Sequence, residues 1–174
     1  MHIYQKAAPG GGTQKRTLLL VSPVHEDRSS LERLLDDSDS TAHTASKWSV
    51  VRHPTPEPAV TELRENRIPI VICEGDVSRD AWRELLGELA LLPDPPLLIV
   101  ISRLADDRLW AEALNLGAWD VLAKPLDREE VNRTLNTAWL HWCNHHQPGG
   151  KIARQTPRDA YDLRQVPAID GFRF

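Results

Sequence analysis

Short, uninterrupted apolar runs alternate with amphipathic stretches through the middle of this sequence. "TLLLVS" (17–22), "KWSVVR" (47–52), "IPIVIC" (68–73), "PLLIVIS" (96–102) and "WDVLA" (119–123) read as strands. Each is followed by a stretch with helical spacing: 25–37, 55–66, 78–92, 106–117 and 127–144. In the third, Trp82, Leu85, Leu86, Leu89 and Ala90 recur at i, i+3, i+4, i+7 and i+8, one face of a helix. Thr55 before Pro56, and Asp127 with Glu130 three residues on, are helix-start signals. Gly117 is a natural stop for the fourth helix.

A strand that is apolar on both faces must be covered on both faces. Five such strands separated by helices therefore predict an α/β fold. The economical arrangement is a flavodoxin-like, doubly wound five-stranded parallel sheet in the order 2-1-3-4-5. Residues 17–145 are expected to form this domain. A basic tail (1–16) and a Gly-, Pro- and Gln-rich tail (146–174) are expected to be disordered.

The charge is unevenly spread. The net value is −4, yet residues 1–16 carry +3 and residues 147–174 carry +2, which leaves −9 on the middle. An acidic body argues against nucleic acid and anionic membrane as partners and fits protein contact. The two cysteines, Cys73 and Cys143, and the lack of a signal-like apolar run point to the cytoplasm. No run approaches the ~20 apolar residues of a membrane span.

In open parallel sheets the working site lies beyond the carboxyl ends of the strands. The residues there are Ser22 and Pro23, Glu74, Ser102, and Lys124 with Pro125. Together with "VSPVHEDRSSL", which keeps Arg28 and Leu31, and with "LGAWDVLAKPLDREEV", this set resembles the receiver domain of two-component response regulators. The resemblance covers residues 17 to about 143. It implies that Glu74 stands in the place of the phospho-accepting Asp. Ser102 and Lys124 would stand where a hydroxyl and an ammonium contact the phosphoryl group, and Val121 where a switch aromatic is common. In that family an aspartyl phosphate forms with Mg²⁺ held by further acids, and the protein chiefly positions and neutralises charge.

The sequence departs from that pattern at the metal-holding and acceptor positions as well as at Val121. Ser22 and Pro23 replace the metal-holding acids, and Pro23 has no side-chain oxygen. Glu26 and Asp27 fall in the first helical turn, where acids complement the helix dipole. Glu74 reaches about 1.5 Å further than Asp, one carbon–carbon bond. A degenerate member, a pseudo-receiver, is the expectation: not an enzyme, with no cofactor and a poor set of ligands for Mg²⁺. Glu74 with Lys124 would then hold a phosphate-independent arrangement. The alternatives are a structural ion pair in a non-signalling adaptor, or phosphotransfer on Glu74 itself.

Other clusters read as structure. His141, Cys143, His145 and His146 are zinc-binding types, but no second cluster completes a closed site, so they read as a helix end. Gly10–Gly12 read as linker. Trp82, Trp110 and Trp142 fall on apolar helix faces and are expected in the core. Trp119 and Trp139 are expected at a partner surface, with Trp119 on the same side of the fifth strand as Val121. The expected role is a stand-alone receiver-like protein with no output domain. Its expected partners are signalling proteins, a histidine kinase or a downstream effector, with a homodimer through the α4–β5–α5 face as one arrangement.

Overall fold

The computed structural model describes residues 16–36, 48–76, 78 and 80–146. Apart from Arg16 and His146, the two tails lie outside the described residues. The elements run β1 (Arg16–Val21), α1 (His25–Asp36), β2 (Trp48–His53), α2 (Pro56–Glu65), β3 (Ile70–Glu74), α3 (Ala81–Leu89), β4 (Leu97–Ser102), α4 (Asp107–Leu116), β5 (Asp120–Ala123) and α5 (Arg128–His145). All four strand pairings are parallel, and the order is β2-β1-β3-β4-β5, as expected.

The period of two along each strand divides the core. Leu19, Val21, Val71, Cys73, Leu98, Val100 and Val121 face α2, α3 and α4, where Val60, Trp82, Leu85 and Ala113 meet them. Leu18, Leu20, Ile70, Ile72, Ile99, Ile101 and Leu122 face α1 and α5, against Leu31, Leu135 and Trp139. Each fully buried aliphatic side chain contributes ~1.5–3 kcal/mol relative to exposure.

Caps fix the helices that bracket the sheet's carboxyl edge. The Asp106 carboxylate accepts from Leu109 N at 2.8 Å and starts α4. Gly117, at φ 110°, ends it in the left-handed region, and its amide donates to Ala113 and Leu114 carbonyls. Asp127 accepts from Glu130 N at 2.9 Å and starts α5. Thr55 precedes α2 without a side-chain cap bond to it.

Several expected placements are corrected. Arg16 belongs to β1, not to the tail, with its guanidinium over the rings of Trp48 and Trp139. Trp110 is not core: it is 44% exposed. Its indole N–H donates to the Val121 carbonyl at 3.1 Å, so the ring lies on the rim of α4 with its polar edge bound to β5. Trp139 is not a surface residue: it is 8% exposed and packs edge-on against Trp48 at 6.1 Å. Trp119 is half-buried against the α1–α5 side, tilted on His141 at 4.7 Å. Val121 faces the other side. Trp119 precedes β5, so the period of two does not carry it onto Val121's face.

Candidate functional site at the carboxyl edge of the sheet

The register brings the expected residues together. Glu74 ends β3 beside Ile101, and Ser102 ends β4 beside Ala123. The Lys124 amide donates to the Ser102 carbonyl at 2.9 Å, which brings the chain after β5 alongside the end of β4. The Lys124–Pro125 peptide is cis, and Pro125 is exposed.

The Lys124 ammonium forms an ion pair with Glu74 Oε2. The side chains are 8% and 1% exposed, so the pair is largely withdrawn from water. The other Glu74 oxygen, Oε1, accepts from Asp76 N at 3.1 Å. The acid that ends this buried strand thus holds both a cation and the turn that follows.

Asp76 is the residue that the sequence reading passed over. Its Oδ1 accepts from the Ser102 hydroxyl at 2.5 Å and from Arg103 N at 2.9 Å. Its Oδ2 lies 3.0 Å from Arg103 N and 3.4 Å from Lys124 Nζ. Burial pushes the Asp76 carboxyl's pKa up, but the bonds from Ser102 and Arg103, Lys124's charge and the bond involving Glu74 outweigh it. The net value lies below the ordinary 3.8. The signal for this residue was present in "EGD": an acid one tight turn beyond the strand end reaches sideways to the next strand. Gly75 permits that turn. A Cβ there would stand 3.1 Å from Val100 Cγ1, and the Gly75 amide donates to the Ile101 carbonyl at 2.9 Å.

Ser102 does not cap α4, since Asp106 does so. Its hydroxyl oxygen accepts from Leu104 N at 2.9 Å while its proton goes to Asp76. Cys73, beneath Glu74, is 1% exposed. Burial and the neighbouring Glu74 charge push its thiol up to about 12.

The residues that directly follow β1, Ser22 and Pro23, carry no carboxylate. The Ser22 hydroxyl turns back on its own loop, accepting from Val24 N at 3.1 Å. Pro23 is exposed and has no side-chain acceptor. Glu26 and Asp27 fall in the first turn of α1. Among the described residues no group of three or more His, Cys, Asp or Glu is arranged to hold a metal ion. The carboxylates described at this edge, Glu74 and Asp76, are both already bonded within the protein. The rings of His141 and His145 meet at 4.3 Å, tilted by 48°, near the end of α5.

No family model and no curated protein matches this chain. Solved structures do. The signal receiver domain of an HD domain-containing protein from Pseudomonas fluorescens Pf-5 superposes with a TM-score of 0.61 at 21% identity, covering 75% of this chain and 98% of its own. The fold is that of a receiver domain. The chemotaxis response regulator CheY4 of Vibrio cholerae gives 0.59 at 15% identity, covering 72% and 99%. A pilus assembly-related protein from Burkholderia pseudomallei gives 0.60 at 18% identity, covering 75% and 94%. At these identities the likeness is one of fold. No helix among the described residues is long and apolar enough to cross a membrane.

Proposed function

We propose that this chain is a pseudo-receiver: a receiver-fold signalling protein that acts through protein–protein contact, without phosphotransfer and without Mg²⁺. The observation that carries this reading is the Glu74–Lys124 ion pair. On this reading it stands where a receiver's acceptor would be, and both side chains are withdrawn from solvent. A nucleophilic carboxylate must be free to meet a phosphodonor. Here one oxygen holds the Lys124 ammonium and the other holds the Asp76 amide. The charge that a phosphoryl group would bring is already present on the protein. Ser22 and Pro23 are consistent with this, because neither offers a carboxylate to a metal.

The partner is a signalling protein, a kinase or an effector. Exposed Trp110 and Leu116 on α4, 44% and 54% exposed, support an apolar contact on that side, including a homodimer through α4–β5–α5. The net charge of −4 supports a protein rather than a nucleic-acid or membrane partner, and free Cys73 and Cys143 support a cytoplasmic setting.

The test is a titration of the full chain with Mg²⁺ and beryllofluoride, followed by tryptophan fluorescence. The expected result is no saturable change. A saturable response that requires Mg²⁺ overturns the reading.

A further inference from the structure

Two imidazoles stand one turn apart at the end of α5. His141 and His145 are spaced i, i+4, so both project from one face of the helix. Their ring centroids lie 4.3 Å apart, with the planes tilted by 48° rather than stacked flat. Both residues are exposed. Among the described residues, neither ring makes a hydrogen bond or an ion pair.

Their neighbours are committed elsewhere. His146 has Nδ1 2.6 Å from the Trp142 carbonyl oxygen and Nε2 3.5 Å from Asp94 Oδ1. Cys143 packs, partly buried, on the α1–α5 side of the core. The Trp119 ring lies 4.7 Å from that of His141 and limits how it can turn.

Neutral imidazole suits borderline transition metals, whereas hard cations take oxygen. A metal bonded to two imidazoles at about 2.0–2.1 Å holds their ring centroids roughly 4.5–5 Å apart when the two take adjacent coordination positions. The observed 4.3 Å is within a small side-chain rotation of that spacing. The helix already orders both ligands, so little chain entropy is left to lose on binding. An i, i+4 pair on a helix face is a spacing that holds zinc in other proteins.

We propose that His141 and His145 form an open, two-imidazole site for a borderline divalent transition metal, with water in the remaining coordination positions. It is not a closed structural site, since among the described residues no third His, Cys, Asp or Glu joins the pair. Affinity should rank Cu²⁺ above Ni²⁺ and Zn²⁺. The bound metal would tie together the last turn of α5. The site also lies away from the carboxyl edge of the sheet. Trp142 and His146, on the same turn, contact Arg67 and Asp94, which precede β3 and β4. It therefore stands or falls separately from the reading of Glu74.

The test uses the full chain at neutral pH in a non-chelating buffer. Tryptophan emission is followed as Ni²⁺ alone is added, because a bound paramagnetic ion quenches nearby indoles and Trp119 lies against His141. Thermal unfolding is followed in Zn²⁺ alone. Wild type should show saturable quenching and a saturable rise in melting temperature. His141→Gln and His145→Gln should each weaken the quenching midpoint by at least about tenfold, a loss that even an outer-shell partner of a metal can cause. Each should also abolish the Zn²⁺-induced rise, measured from that variant's own melting temperature. His146→Gln should leave both responses intact, and Mg²⁺ should produce neither. The absence of saturable binding, binding that survives both substitutions, or an equal loss from His146→Gln overturns the proposal.

Discussion

Glu74 and Lys124, fifty residues apart in sequence, meet as an ion pair at the ends of β3 and β5, with side chains 1% and 8% exposed. Removing one partner of such a pair leaves the other charge buried, at a cost of about 3–5 kcal/mol. Glu74→Gln and Lys124→Met should each lose stability of that order in urea unfolding. A Glu74→Gln/Lys124→Met double variant should lose clearly less than the sum of the singles. Additive losses would contradict a coupled pair.

Acid should act on the region around His141 before it acts on Asp76. Burial and the neighbouring His145 hold the His141 imidazole below its ordinary 6.5. The unfolded chain therefore binds this proton more readily than the folded one. His141's contribution is full above the ordinary value and is lost as pH falls below it. His141→Gln should flatten the fall in melting temperature between roughly pH 7 and 5, the range in which imidazoles titrate. A slope unchanged by the substitution would show that His141 is not the group involved. Asp76, held below 3.8, behaves as a depressed carboxyl: its contribution is present above that value and lost as pH falls further.

Cys73 should resist alkylation. Its thiol, pushed to about 12 and 1% exposed, carries little thiolate at neutral pH. Cys143, partly exposed and raised less far, should take iodoacetamide first. Peptide mapping after brief labelling should find the adduct on Cys143, with Cys73 labelled only once urea unfolds the chain. Early labelling of Cys73 would contradict its place beneath Glu74.

Trp110 holds β5 through a single bond to the Val121 carbonyl. Trp110→Phe keeps an aromatic ring but removes the donor, at an expected cost of ~0.5–1.5 kcal/mol. Denaturant midpoints measure this. Stability equal to wild type would mean that water replaces the bond without loss.

The fold was legible because both faces of the sheet are buried. The runs "LLLV", "IVIC" and "LLIVI" then leave few choices, and the strand order follows. The strand-end residues Glu74, Ser102 and Lys124 were legible for the same reason: register aligns the strands' carboxyl ends. What escaped was whatever depends on contacts between elements. Asp76 follows a glycine and reads locally as a turn residue, while its role lies across β4. Trp139 looked available to a partner because the edge of Trp48, 91 residues earlier, cannot be foreseen from the pattern around α5. Trp119 was assigned a side by strand periodicity, but the strand starts one residue after it.

The central claim is that the acceptor position is already occupied by the protein's own charges. It is tested most directly by intact mass measurement of the wild-type chain after incubation with Mg²⁺ and a small-molecule phosphodonor such as acetyl phosphate. The account predicts an unmodified mass. A gain of one phosphoryl group, mapped to Glu74, would contradict it.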